Sequence, residues 1–196
     1  MPARIFVVRH GETDWSKSGQ HTSRTDRPLT AVGEAEARAL TPILAPLGIT
    51  QVWTSPRERA RRTCELAGLG AHAGVDPDLA EWDYGDFEGL RTPEILASHP
   101  GWRLFQDGCP GGESPQQVSA RADRVVARLR ALDGPVAVFT HGHMGRVLAV
   151  RWAGLAAAAG EHLLLGTACL GVLGFEHGHL SMPVIERWNV GSGPLA

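Results

Sequence analysis

Short apolar runs alternate with amphipathic stretches along the chain, which is the pattern of an α/β protein. Strands are predicted at residues 5–8, 51–54, 136–139, 169–175 and 180–185. The runs at 5–8 and 136–139 are apolar at every position, as expected for parallel strands that are buried on both faces. We therefore expect a three-layer sandwich, in which helices cover both faces of a mostly parallel central sheet.

Amphipathic periodicity predicts helices between these strands. One helix would run from Thr30, as its N-cap, to about Leu47, and another would begin at Ser55, where Pro56 and Glu58 complete a capping-box pattern. A third would begin at Ser114, and a fourth would follow the strand at 136–139 and end at about Ala153. The third has an apolar face and three arginines expected to point outward: Val118, Ala122, Val125, Val126 and Leu129, with Arg121, Arg124 and Arg128.

Residues 81–112 lack clear periodicity and are rich in aromatic residues and glycine. In a compact domain, such a long irregular segment is usually a functional insert. We predict a single domain over residues 1–196 with a lid or substrate-binding insert at about 81–112. The alternative is a short helix around residues 93–98 on an otherwise plain surface loop.

Composition and charge narrow the class of protein. The formal net charge of −2 gives no field that attracts nucleic acid, and no apolar run approaches the roughly 18 residues of a membrane span. The apolar run at 5–8 is too short for a signal-peptide core. Cys64, Cys109 and Cys169 are odd in number and far apart, so we expect reduced thiols. A cytoplasmic protein without nucleic-acid or membrane partners is predicted.

Two of the predicted strands end in a histidine followed by glycine, His10-Gly11 and His141-Gly142. Ligands of open α/β sheets bind outside the carboxyl ends of the strands, so these histidines are expected to converge on one pocket. Glycine after each histidine allows a sharp turn and a close approach to a ligand.

Four arginines follow Ser55, at the start of the second predicted helix: Arg57, Arg59, Arg61 and Arg62. The helix dipole disfavours cations there, but a bound anion would reverse the sign of that effect. We expect Arg57 or Arg59 to bind an anion, and Arg61 and Arg62 to face water.

Histidine, arginine and a carboxyl group together suit phosphoryl transfer. A neutral imidazole is a nucleophile, and arginines and a second histidine can stabilise the charge on the phosphoryl oxygens. A carboxylic acid is needed to protonate an alkoxide leaving group. Spacing alone does not choose among six candidate carboxyl groups: Glu12, Asp14, Glu81, Asp83, Asp86 and Glu88.

Arg9-His10-Gly11-Glu12-Thr13 resembles the signature of the histidine phosphatase superfamily, whose members include the cofactor-dependent phosphoglycerate mutases. Three further blocks that resemble the family follow in order: Ser55-Pro56 with Arg59-Ala60 and Thr63; Leu79, Glu81, Gly85, Glu88 and Gly89; and Thr140-His141-Gly142. The resemblance covers nearly the whole chain.

The resemblance implies a role for each matching residue. His10 would be the phosphorylated nucleophile, Glu81 the acid and then the base, and no metal or cofactor would be needed. Arg9, Arg59 and His141 would hold the phosphoryl oxygens. The substrate-binding residues implied are Arg9, Ser16, Gln20, Thr22, Ser23, Arg59, Tyr84, Gly142 and His143.

Residues 15–22, 81–86 and 108–114 look like a phosphatase branch that includes broad-specificity acid phosphatases and sedoheptulose bisphosphatases. The expected function is a phosphomonoesterase that hydrolyses small phosphorylated metabolites, such as sugar phosphates, through phosphohistidine. The first alternative is a cofactor-dependent phosphoglycerate mutase, and the second is a metal hydrolase using His141 and His143. Arg91 or Arg103 could bind a second phosphate. Oligomeric state stays open, with a homodimer as the candidate.

Overall fold

The computed structural model describes residues 3–191, which form a six-stranded sheet and its flanking helices. The strands are β1 (Arg4–Arg9), β2 (Gln51–Thr54), β3 (Ala73–Val75), β4 (Pro135–Thr140), β5 (Leu170–Phe175) and β6 (Pro183–Val190). The α-helices are α1 (Asp14–Ser18), α2 (Ala31–Ala39), α3 (Thr41–Leu44), α4 (Glu58–Leu66), α5 (Thr92–Ser98), α6 (Leu104–Asp107), α7 (Pro115–Arg130) and α8 (Gly142–Trp152).

The strand order is β3-β2-β4-β1-β5-β6, and β5 alone of these six runs against the others. The predicted mostly parallel sheet is therefore confirmed. β1 and β4 are parallel neighbours at the centre, with Arg9 opposite Thr140 at their carboxyl ends. This register brings the residues that follow the two strands to the same edge of the sheet.

Alternate side chains of β1 face the two sides of the sheet. Ile5 and Val7 belong to one buried cluster together with residues of α7 and α8, and Phe6 and Val8 belong to a second cluster that α3 and α4 complete. All four side chains are buried, as predicted for a strand covered on both faces. The three-layer arrangement follows from these two clusters.

The helix predicted from Thr30 to about Leu47 is interrupted. The Thr30 hydroxyl caps it as expected by accepting from the Gly33 N–H at 3.0 Å, but α2 ends at Ala39. Pro42 cannot donate a backbone hydrogen bond to the preceding turn, so the chain continues as the separate helix α3 and a 3-10 helix over Ala45–Leu47.

The prediction that Ser55 caps the next helix is wrong. α4 begins at Glu58, whose N–H is capped by Asp26 Oδ1 at 3.0 Å. The Ser55 hydroxyl lies 2.7 Å from His141 Nε2 and accepts only a long bond, of 3.3 Å, from the Arg57 N–H. A long-range contact with the second histidine has replaced the local cap.

Two other segments differ from the sequence-based expectations. β6 lies several residues later than the strand predicted at 180–185, and β3 was not predicted because a run of Ala, Gly and Val is too short to carry a pattern.

Within residues 81–112, the predicted short helix is confirmed as α5, accompanied by α6. Trp82 and Phe105 of this segment are buried in the main core cluster, so much of it is packed down.

The predicted capping box and apolar face of α7 are confirmed, but Arg121 does not point outward as expected. Its Nη1 donates to the carbonyls of Asp78 and Ala80 at 2.8 and 2.6 Å, and its Nη2 donates to Glu113 Oε2 at 2.6 Å. Its side chain is only 12% exposed. Arg121 therefore ties α7 to the segment that leads into Glu81.

Replacing Arg121 with alanine is expected to lower the free energy of unfolding by about 2–4 kcal/mol, because the half-buried Glu113 carboxylate and two partly buried carbonyls lose their donor. Arg124→Ala on the same helix is the matched control, since Arg124 pairs with Asp78 at an exposed position and should have a much smaller effect. Urea denaturation of both variants measures the difference. Equal stability of the two would contradict this role for Arg121.

Candidate active site

The two histidines predicted to converge do lie together at the carboxyl ends of β1 and β4. The His10 N–H donates to the Thr140 carbonyl at 3.1 Å, and the ring centroids of His10 and His141 are 5.2 Å apart. Both residues are buried, at 5% and 0% exposure. The sheet register therefore fixes their separation.

The glycines that follow them serve packing inside the protein. A Cβ atom on Gly11 would lie 2.3 Å from the carbonyl oxygen of Gly33 in α2, and one on Gly142 would lie 3.3 Å from the Arg9 guanidinium carbon. The close approach expected at Gly11 is thus to α2, and that at Gly142 is to an arginine of the site.

The His10 ring is held in one tautomer. Its Nδ1 lies 2.8 Å from the Gly11 carbonyl, which can only accept, so Nδ1 carries the proton and Nε2 keeps its lone pair. Burial and the positive charges of Arg59 and Arg9 hold the pKa of His10 well below its ordinary value. The imidazole is therefore neutral, and its Nε2 is free of protein partners in the described chain and open to the pocket.

Two arginines act electrostatically on this imidazole, the buried Arg59 and the half-buried Arg9. Arg59 is completely buried, and its two terminal nitrogens donate to the carbonyls of Thr22, Thr25 and Ser23 at 3.0–3.1 Å. The Arg9 Nη1 donates to the Leu165 carbonyl at 2.7 Å.

Four buried nitrogens of the site have no hydrogen-bond partner in the described chain: Nε of Arg9, Arg57 and Arg59, and Nδ1 of His141. Buried donors without acceptors are costly, and the oxygens of a tetrahedral anion are acceptors of the required kind. Burial and the charge of Arg59 lower the pKa of His141, which keeps its ring neutral without such an anion. This group of buried nitrogens without partners is therefore suited to binding an anion.

Glu81 caps the N-terminus of α8. Its Oε1 accepts from the Met144 and Trp82 N–H groups at 2.7 and 2.9 Å, and its Oε2 accepts from the His143 N–H at 3.1 Å. A carboxylate is favoured at a helix N-terminus. Glu81 is 6% exposed and lines the same pocket as His10.

The other five candidate carboxyl groups lie outside the pocket lining. Asp14 pairs with Arg27, and Asp83 pairs with Arg24. Glu12, Glu88 and Asp86 are also absent from the lining, and Glu88 accepts from the backbone N–H groups of the loop around Ser23. Of the six candidate carboxyl groups, only Glu81 is in the lining that the described residues form.

Most of the predicted site residues line one pocket: Arg9, His10, Ser16, Gln20, Thr22, Glu81, Tyr84, Gly142 and His143. Arg59, His141 and Ser23 lie behind this lining and are buried. Ser23 contributes its carbonyl to Arg59 and its N–H to Glu88, so its place is in the support of Arg59. Its side chain does not reach the pocket.

Four arginines that the sequence analysis singled out lie outside the pocket. Arg61 is exposed and Arg62 pairs with Glu34, away from the pocket as expected. Arg91 and Arg103, considered for a second phosphate, are also outside the lining and pair with Glu94 and Glu161.

Sequence reasoning missed three pocket residues that can form hydrogen bonds through their side chains, His21, Thr92 and Arg146. Arg146 follows His143 by one helical turn, so helix spacing could have revealed it. His21 lies in an irregular loop and had no such signal. Its Nδ1 lies 2.9 Å from the Leu90 carbonyl, and its ring faces that of His143 at a centroid distance of 6.1 Å.

A search of residues 3–191 finds no group of three or more His, Cys, Asp or Glu side chains suited to a metal ion. His141 and His143, the pair of the metal alternative, have separate protein partners: Ser55 and Tyr84. None of the helices described for this chain has the length and apolar character of a membrane span.

Comparison with known proteins agrees with the geometry. The model of the histidine phosphatase superfamily (branch 1) matches residues 5–191. The chain is 42% identical over 186 residues to an acid phosphatase of Mycobacterium tuberculosis, covering 93% of this chain and 91% of that protein. It is 38% identical over 184 residues to the sedoheptulose 1,7-bisphosphatase of Saccharomyces cerevisiae, covering 78% and 68%.

The fold is also similar to a solved structure. A Mycobacterium tuberculosis open reading frame has a TM-score of 0.91 and 39% identity, with 97% of this chain and 99% of that chain covered. The similarity therefore extends over both chains nearly in full.

Proposed function

The chain belongs to the histidine phosphatase superfamily, and we propose that it hydrolyses small phosphorylated metabolites, sugar phosphates among them, through a phosphohistidine at His10. The observation that carries the proposal is the placement of His10, whose Nδ1 faces the Gly11 carbonyl and whose Nε2 is turned to the pocket that Arg9 also lines. Two of the relatives are an acid phosphatase and a sedoheptulose bisphosphatase, and the predicted phosphatase is thereby confirmed.

In the first half-reaction, Arg9, Arg59 and His141 bind the phosphoryl oxygens of the ester. The lone pair of His10 Nε2 attacks phosphorus in line with the ester oxygen, so that an N–P bond forms as the P–O bond breaks. Protonated Glu81 gives its proton to the departing alkoxide, which leaves as an alcohol. The fixed cations stabilise the charge on the three equatorial oxygens without reorganising.

In the second half-reaction, the Glu81 carboxylate takes a proton from water as the water oxygen attacks phosphorus. The N–P bond breaks, its electron pair returns to His10 Nε2, and inorganic phosphate leaves. Glu81 is then protonated and His10 is neutral, as at the start of the cycle. A mutase would share the first half-reaction and return the phosphoryl group to a substrate in place of water.

A panel of phosphate esters that includes sugar bisphosphates and phosphoglycerates tests this function. We expect release of inorganic phosphate without stimulation by 2,3-bisphosphoglycerate. Interconversion of phosphoglycerates that depends on the bisphosphate, with little phosphate release, would support the mutase alternative.

Arg59→Ala is expected to raise the inhibition constants of vanadate and inorganic phosphate by roughly 10- to 100-fold, because a charged donor to the phosphoryl oxygens is lost. Arg62→Ala is the matched control on the same helix, since Arg62 pairs with Glu34 away from the pocket. Steady-state inhibition measures both, with thermal denaturation to check the loop that Arg59 holds. If Arg59→Ala kept full activity and unchanged inhibition, Arg59 would not bind the anion, and Arg57 would be the next candidate.

The proposal also covers domain organisation, cellular location and assembly. We take residues 1–196 as one domain in which 81–112 form the substrate insert, since Tyr84 and Thr92 line the pocket. The free thiols Cys64, Cys109 and Cys169 are consistent with the reducing cytoplasm, and the net charge of −2 gives no attraction for nucleic acid. A homodimer is proposed as the assembly, and light scattering measures it.

A further inference from the structure

The loop of residues 22–25 lies between two charged side chains, with Arg59 bound to its carbonyl groups and Glu88 bound to its N–H groups. We infer that Glu88 is a positioning residue for the phosphoryl site, which acts by holding the carbonyl groups of this loop towards Arg59. The inference rests on the proposed phosphatase function, because it takes Arg59 as a residue that binds the phosphoryl oxygens of the substrate.

The carbonyl groups of the loop determine where the Arg59 guanidinium lies. Its Nη2 donates to the carbonyls of Thr22 and Ser23 at 3.0 and 3.1 Å, and its Nη1 donates to the Thr25 carbonyl at 3.1 Å. Within residues 3–191, these two nitrogens have no other hydrogen-bond partner, and the Arg59 side chain is fully buried. Because the guanidinium is a rigid planar group, three fixed acceptors fix its orientation.

The N–H groups of the same loop donate to the Glu88 carboxylate. The Ser23 N–H lies 2.9 Å from both carboxylate oxygens, and the Thr25 N–H lies 3.0 Å from Oε1. Glu88 is half-buried and does not line the pocket. Hydrogen bonds to an ionised acceptor are roughly twice as strong as those between neutral groups. Glu88 therefore holds the peptide groups of the loop in one orientation.

One peptide group of the loop connects the two charged residues directly. The peptide group between Thr22 and Ser23 accepts from Arg59 Nη2 through its C=O and donates to Glu88 through its N–H. This peptide is trans, so its C=O and N–H point to opposite sides. Rotation of the group would break both hydrogen bonds together, and the acceptor on one side therefore fixes the carbonyl on the other.

Acting through the loop, Glu88 leaves Arg59 available to an anion. Arg59 Nε has no partner in the described chain, and the positive charge of Arg59 lowers the pKa of both His10 and His141. Asp26 is a weak counter-charge, since it is 45% exposed and its Oδ1 lies 3.8 Å from Arg59 Nη1. A carboxylate in direct contact with the guanidinium would compete with the phosphoryl oxygens for its donors.

The test is a double-mutant cycle between Glu88 and Arg59, in which isothermal titration calorimetry measures the Kd of orthovanadate. Glu88→Ala leaves two N–H groups of the loop without their acceptor, so the Kd should rise by roughly 5- to 20-fold. In the Arg59→Ala protein, the same substitution should change the Kd by less than about twofold, because the residue through which Glu88 acts is absent.

Two further variants separate positioning from damage to the fold. Glu88→Gln keeps an oxygen acceptor for the N–H groups of the loop and should recover part of the affinity lost in Glu88→Ala. Glu94→Ala is the matched control in the same segment, since Glu94 also accepts a backbone N–H, that of Arg91 at 2.7 Å, but does not line the pocket. It should keep the wild-type Kd. Thermal denaturation of each variant before titration shows that the measured protein is folded.

Three results would overturn this role for Glu88 while leaving the phosphatase intact: an unchanged Kd in Glu88→Ala, an equal rise with and without Arg59, or a Glu88→Gln protein that binds vanadate as weakly as Glu88→Ala. An unchanged Kd in Arg59→Ala alone would remove Arg59 from the phosphoryl site and overturn this inference with it. Failure of the proposed function is a separate result, in which the wild-type protein releases phosphate from no ester of the panel.

Discussion

Replacement of His10 by alanine is expected to lower kcat by roughly 10⁴-fold or more, because the covalent intermediate can no longer form. His141→Ala is the informative comparison, since it removes a second buried histidine at the end of the neighbouring strand. Its expected loss is smaller, about 10²–10³-fold, as for a group that stabilises the transition state without bonding to phosphorus.

The measurement is single-turnover and steady-state hydrolysis of p-nitrophenyl phosphate by both variants, after thermal denaturation has shown that they are folded. A His10→Ala protein that keeps activity within tenfold of the wild type, or a larger loss in His141→Ala, would contradict the assignment of the nucleophile to His10.

Glu81→Gln should slow phosphoenzyme formation from glycerol 3-phosphate by about 10²–10⁴-fold, because the alkoxide then leaves without a proton donor. p-Nitrophenolate is a good leaving group and needs less help, so the same step with p-nitrophenyl phosphate should be much less affected. Single-turnover experiments with the two esters measure the difference. The variant also changes the acceptor at the N-terminus of α8, but such damage would slow both esters alike.

Asp83→Asn is the matched control for this prediction, since Asp83 lies two residues away, pairs with Arg24 and does not line the pocket. It should keep the wild-type difference between the two esters. Equal losses for both esters in Glu81→Gln would mean that Glu81 does not donate this proton, and Glu12 or Asp83 would then be examined as donors.

The central part of the fold could be predicted because its signals are local. Residues 5–8 and 136–139 are apolar throughout, and a histidine stands two residues after each run, which predicts both the buried strands and the edge where the site lies. Local sequence signals gave a wrong prediction where a residue distant in the sequence binds the same side-chain atom. Ser55 has the sequence context of a helix cap, but its hydroxyl lies against His141.

The site could be predicted only in part for the same reason. Glu81 is one of six similar carboxyl groups in the sequence, and the resemblance to a family, not the spacing, singled it out. Its position follows from hydrogen bonds to backbone groups about 60 residues away, at the start of α8. His21 enters the pocket through a loop contact with Leu90 that no periodicity encodes.

The covalent intermediate gives the most direct test of the central claim. Wild-type protein turning over p-nitrophenyl phosphate is quenched in alkali, where phosphohistidine survives, and the modified residue is located by mass spectrometry of its peptides. The expected result is one phosphoryl group on His10, lost on acid treatment and absent from His10→Ala. A phosphoryl group on His141, His21 or His143, or turnover that continues in His10→Ala, would contradict it.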